Sequence, residues 1–254
     1  MGVVMNNWDK LTPEKIRILN AQIEESSSFV VDWQNTRWAA DLFWESQEGD
    51  DAHRKQETWH HLVMSVGNFK RQAPISLLKA TLDASIDAKE STRPQSCRIM
   101  IINNEGQEEN ITLHREQPET WSKLEGVRGL QTATITTLLS AIWPGEHIVL
   151  DIRDLKAAYG LCLDKPVEQG FISLSKNRDP LRTLKEYVWL RNEVKSLCTS
   201  SEFIAESIAL VDVERALYRL DQLQSDFRKE NKQVGREITW AMYAAQLSKT
   251  LDSL

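Results

Sequence analysis

Residues Leu124 to Leu161, LEGVRGLQTATITTLLSAIWPGEHIVLDIRDLKAAYGL, constrain the fold more than any other stretch of the chain. Gly126 and Gly129 bracket a tight reversal, because glycine alone reaches left-handed backbone angles without steric cost. A buried helix follows, opened by Thr132-Ala133. Pro144-Gly145 breaks it. Asp151, with Asp154 three residues later, reads as the cap of a further helix that Gly160 ends. The order is therefore helix end, glycine hairpin, buried helix, break, capped helix.

Helical spacing runs through most of the remaining chain. Thr12-Pro13-Glu14 gives a cap, a proline at the first helical position and an acid in the first turn. Ile16, Leu19 and Ile23 follow on one face. A second helix is expected over residues 29–46, ended by Gly49-Asp50-Asp51. A third carries Trp59, Leu62, Val63, Val66 and Phe69, and a fourth is expected from Pro74 with Leu77, Leu78, Leu82 and Ile86. Arg98–Asn103 fits a short strand or a helix, and Asn104-Glu105-Gly106 a turn. Residues from there to about 120 read as irregular. Towards the C-terminus helices are expected over 180–198 and 201–210, then from Asp212, and over 225–251 as one helix or two. The expected fold class is all-α, in two packed lobes of a single unit spanning residues 1–254.

Composition narrows the function classes. The 254 residues, 41% apolar, suffice for a real core. No run approaches the roughly 18–20 apolar residues that span a bilayer. No leader or lipidation signal is read at the N-terminus, so a cytoplasmic location and no membrane partner are expected. Cys97, Cys162 and Cys198 are three widely spaced thiols and suit neither a disulfide framework nor a zinc site. His60-His61 point about 100° apart on a helix and chelate poorly. No metal and no cofactor are expected. The net charge of −6 resides wholly in residues 1–120, which hold 13 Lys and Arg against 19 Asp and Glu. The remainder is neutral, with a locally basic run at Lys176, Arg178, Arg182, Lys185, Arg191 and Lys195, the kind of local patch that DNA contact needs.

Residues 124–161, within a motif segment of 119–161, resemble the helix-hairpin-helix and Gly/Pro-Asp motif of the DNA glycosylase superfamily. The resemblance rests on Gly126-Val127-Arg128-Gly129, Thr132-Ala133, Pro144-Gly145 and Asp151, and is close over 38 residues. It implies that amides around Gly126, Val127, Arg128, Gly129, Gln131 and Thr132 hold a DNA phosphate at a helix N-terminus. It implies that a modified base is flipped from the duplex. Asp151 is then the catalytic carboxylate that stabilises the cationic sugar as the glycosidic bond breaks. Family members that also cut the strand carry a lysine where this chain has Gln131, so the resemblance implies a monofunctional hydrolase. It further implies a monomer with DNA as partner. Damaged bases and the hypermodified bases of phage DNA, the latter in anti-phage defence, are both expected substrates. The family spaces its hairpin glycines by one residue. Two separate them here, which predicts an irregular hairpin. A non-catalytic DNA-binding protein on the same scaffold is the alternative. Among the nine tryptophans, Trp38 and Trp44 are candidate walls for a flipped base, although most helical tryptophans pack in cores.

Overall fold

Local capping chemistry sets where several of the helices begin. The computed structural model describes residues 6–23, 28–70, 77–83, 95–127, 129–173 and 180–254. The chain divides into two compact units, one of Met1–Ile23 with Leu150–Leu254 and one of Glu24–Val149. In the first, α1 (Pro13–Ala21) starts where the Thr12 hydroxyl accepts from the Lys15 amide.

The Glu24–Val149 unit begins with α2 (Ser28–Ser46) and α3 (Ala52–Lys70), an antiparallel pair. Asp51 starts α3 by accepting from the amides of His53 and Arg54. Trp33, Phe43, Trp59 and Leu62 are buried along the seam of the pair.

A three-stranded antiparallel sheet follows, of β1 (Leu77–Asp83), β2 (Ser96–Ile102) and β3 (Glu108–His114), in the order β1-β2-β3. This corrects the all-α expectation. The protein is mostly helical, but the expected fourth helix is β1 at Leu77, Leu78 and Leu82, and the expected irregular stretch contains β3. Pro74 and Ile86 lie outside the described residues. The physical reason is pairing. Leu82 lies opposite Cys97, itself opposite Leu113, and Ala80 opposite Ile99, itself opposite Ile111. Cys97, Ile99 and Ile101 are buried while Arg98 between them is exposed, the two-residue period of a one-faced sheet. Leu77, Leu78 and Leu82 fit helical spacing as well, and only the partner strands decide. The expected turn at Asn104-Glu105-Gly106 joins β2 to β3, with Gly106 at φ 80°.

A single-turn α4 (Pro118–Trp121) leads into a 3-10 turn at Ser122–Leu124, the hairpin and α5 (Thr132–Ile142). Every residue of α5 from Thr134 onwards is buried, as expected, and α2 and α3 pack on it. Its buried hydroxyls are satisfied locally. Thr136 and Thr137 donate to the Ala133 carbonyl, and Ser140 to that of His147.

The remaining helices belong to the unit of Met1–Ile23 and Leu150–Leu254. They are α6 (Ile152–Leu161), α7 (Asp164–Glu168), α8 (Leu184–Cys198), α9 (Ser201–Ala205), α10 (Leu210–Gln222), α11 (Ser225–Gln233) and α12 (Trp240–Asp252). α8 begins four residues later than Pro180 suggests, because Thr183 and Glu186 form a reciprocal capping box. α9 is shorter than expected, and Asp212 lies in the first turn of α10 rather than before it, accepting from the Ala209 amide. Residues 225–251 form two helices.

Gly160 does not end α6 but lies inside it. A Cβ there would stand 2.1 Å from Leu247 Cδ1 and 3.0 Å from Tyr243 Cδ1 of α12. The glycine is thus what lets α12 approach α6. Gly160→Val is expected to destabilise by about 3 kcal/mol, read as a shift in the urea midpoint, because Leu247 is fully buried and has no room to yield. A loss under about 1 kcal/mol would show that α12 yields freely. Among the described residues no helix is long and apolar enough to cross a membrane.

Candidate functional site

The hairpin is built from its glycines. Gly126 has φ 88° and Gly129 φ 84°, so both occupy the left-handed region. A Cβ at Gly126 would meet nothing within 4 Å, so the requirement there is conformational rather than steric. Val127, on the side of the loop that tucks inward, is 7% exposed. The Val127 amide donates to the Leu124 carbonyl and the Leu130 amide to that of Val127, two turns in series. Both left-handed positions among the described hairpin residues are glycines. Arg128 lies outside the described residues.

At the far side of the hairpin, Gln131 is the N-cap of α5 and its side chain makes no capping bond. Gln131 and Gly129 are exposed and Thr132 is half-buried. The Thr134 amide donates to the Gln131 carbonyl, which leaves the Thr132 and Ala133 amides as the donors at this end, where the dipole favours an anion. One acid stands close: Glu125 Oε1 accepts from the Thr132 hydroxyl at 3.5 Å. Asn104, in the β2–β3 turn, donates from Nδ2 to the Gly126 carbonyl at 2.6 Å and braces the hairpin from outside. The turn is legible in the sequence; its contact is not, because it joins residues 22 positions apart.

Asp151 belongs to the other unit and caps α6. Its Oδ1 accepts from the Arg153 amide at 2.9 Å, while its own amide donates to Asp154 Oδ2 at 3.2 Å. Asp154 is 2% exposed and serves the helix start, whereas Asp151 is half-buried. The reciprocal cap fixes the Asp151 carboxylate in orientation without closing it off from solvent. The Arg153 guanidinium lies over the Tyr218 ring of α10, 5.0 Å from its centroid. Burial pushes the Tyr218 hydroxyl above its ordinary pKa; Arg153 opposes this, and Asp151 and Asp154 add to it. At neutral pH Tyr218 is therefore a neutral donor and acceptor beside two carboxylates and a guanidinium. No sequence signal ties Tyr218 to Asp151; packing of α10 on α6 does so.

The two candidate tryptophans have separate roles. Trp44 donates from Nε1 to the Ile142 carbonyl at 3.1 Å and anchors α2 to the end of α5. Trp38 is 57% exposed and meets the His61 ring edge-on at 5.3 Å between centroids. Trp33 and Trp59 are core residues.

The described residues of the basic run differ in exposure. Arg182 and Lys185 are exposed, Lys195 is half-buried, Arg191 is 6% exposed, and Lys176 and Arg178 lie outside the described residues. All three cysteines are free thiols. Among the described residues no cluster of three or more His, Cys, Asp or Glu is placed to hold a metal ion. No protein-family model, no curated protein and no solved structure matches this chain.

Proposed function

We propose that the protein is a monofunctional DNA glycosylase that excises a damaged or modified base by hydrolysing the N-glycosidic bond. The observation that carries this reading is the pair of left-handed glycines leading into the uncapped N-terminus of α5, followed in sequence by a half-buried carboxylate fixed at the start of α6. In this reading the amides of Gly126, Gly129, Gln131 and Thr132 hold a backbone phosphate, the Val127 amide being taken up by the Leu124 carbonyl. Asp151 stabilises the developing positive charge on the sugar and orients water. Gln131, in place of a lysine, forms no covalent adduct with the sugar, so the product is an intact strand with an abasic site. Bases altered by damage and bases hypermodified in phage DNA are the two substrate sources, the second placing the enzyme in anti-phage defence.

The test is a panel of duplex oligonucleotides carrying damaged and phage-type modified bases. The wild type is expected to release one class of base, with strand cutting only after alkali. Asp151→Asn keeps the helix cap, for which Asn and Asp are equivalent, and removes the charge. Its base release is expected to fall by about 100-fold with unchanged thermal stability. No release from any substrate by the wild type would sink the proposal. A second reading, a non-catalytic DNA-binding protein, is favoured by the service Asp151 already performs as the α6 cap. It predicts salt-sensitive DNA binding that Asp151→Asn leaves unchanged.

A further inference from the structure

The outer groove between α2 and α3 has the chemistry of a second recognition site. On α2 the residues Asp32, Asn35 and Trp38 recur every three positions, and on α3 His61, Ser65 and Asn68 recur every four and three. These spacings put each set on one helix face. The two faces together line a cleft of about 270 Å³. That is just below the range of about 300–1,000 Å³ for drug-sized ligands, and suits a single small ring system.

The lining is unusual in what it leaves unspent. The side chains of Asp32, Asn35, Ser65 and Asn68 make no hydrogen bond to other described residues. Thr36 bonds only the backbone carbonyl of Asp32. Trp38 exposes more than half its surface, although an indole is among the most favourable side chains to bury. Its edge-on contact with His61 holds the ring in place. The Glu24–Val149 unit thus presents a fixed aromatic ring beside a carboxylate, two primary amides and a hydroxyl. Among the described residues neither a lysine nor an arginine lines the cleft, so these residues offer no counter-charge to a phosphate.

We infer that this groove binds a nucleobase bearing an exocyclic amino group, stacked on Trp38 with its polar edge towards Asp32, Asn35 and Asn68. A primary amide pairs in bidentate fashion with the amino and ring nitrogens of adenine, and a carboxylate accepts from the amino group of cytosine. Stacking on an exposed aromatic ring supplies sequence-tolerant affinity. The base comes either free, as nucleobase or nucleoside, or within a single strand. The groove contains neither Asp151 nor any hairpin residue, and the inference stands without base excision.

The experiment is a titration of the full chain, followed through the tryptophan indole N–H signals by NMR. The probes are adenosine, cytidine, thymidine and an eight-nucleotide single strand of deoxyadenosine. Saturable binding of adenosine or cytidine, at least fivefold tighter than thymidine, is expected. Trp38→Ala should weaken it at least tenfold, and Asp32→Ala should weaken cytidine more than adenosine, which Asn35 and Asn68 still pair. Asp151→Asn should bind as wild type, so that loss of excision and loss of this site are separable. Equal affinity for nucleoside and oligonucleotide assigns the site to free bases; tighter oligonucleotide binding assigns it to a strand. Absence of saturable binding by every probe, or binding that Trp38→Ala leaves intact in a protein with a native circular dichroism spectrum, overturns the inference.

Discussion

Glu186→Ala is expected to destabilise the protein by about 4 kcal/mol, seen as a fall in the urea midpoint at constant slope. Glu186 is 1% exposed and accepts four hydrogen bonds: from the Tyr159 hydroxyl at 2.6 Å, the Thr183 amide at 2.7 Å, the Thr183 hydroxyl at 2.9 Å and the Leu181 amide at 3.3 Å. Alanine strands all four donors. The Tyr159 hydroxyl suffers most, because its ring is fully buried with Trp189 at 5.3 Å and Trp240 at 5.6 Å between centroids. Each stranded buried group costs about 1–3 kcal/mol and the emptied volume adds to it. Glu186→Gln retains one acceptor oxygen and should lose about half as much. A loss below about 1.5 kcal/mol for alanine would show that water replaces the carboxylate.

Asp221→Asn is expected to cost about 3 kcal/mol by the same measurement. Asp221 is 2% exposed and accepts from Tyr243 Oη at 2.5 Å and Arg228 Nη1 at 2.6 Å, while Arg228 Nη2 donates to its carbonyl at 2.9 Å. Removing one partner of a buried pair costs about 3–5 kcal/mol, and the lower end applies because the Arg228 side chain is 32% exposed. Burial, with the Asp221 carboxylate, holds the Tyr243 hydroxyl well above its ordinary pKa. A phenol raised in the folded state contributes stability that is complete below its unfolded pKa of about 10 and lost as pH rises beyond it. Stability should therefore decline above pH 10, and less steeply in Tyr243→Phe. An Asp221→Asn midpoint within error of wild type would mean that the network carries no net energy.

Glu186 shows what the sequence discloses and what it hides. Its place three residues after Thr183 marks a capping box, which is a local signal. Its bond to Tyr159, 27 positions away, has no local signal and follows from the packing of α8 on α6. The same division holds throughout. α1, α2, α3, α5 and α6 were readable, because caps and apolar spacing lie within a few residues. β1 and β3 were not, because Leu77–Asp83 and Glu108–His114 become strands through β2 between them. In the candidate site, the glycines and Asp151 were legible as turn and cap chemistry. Asn104, Tyr218 and the groove under Trp38 were not, because each is assembled from separate elements.

The arrangement of units has a consequence for synthesis. Glu24–Val149 is one uninterrupted run and has all its strands and core helices once α5 is made. The unit bearing Asp151 is discontinuous: α1 packs on α10, and α6 waits for α12. A nascent chain thus completes the hairpin-bearing unit first, while α1 remains unpartnered until nearly the whole chain has emerged. A ribosome-stalled chain long enough for α5 to clear the exit tunnel, but lacking α10 and α12, should resist protease within α2, α3 and α5 and be cut freely within α1. The carboxylate at the start of α6 is therefore among the last features to be secured, long after the glycine hairpin that precedes it in the chain.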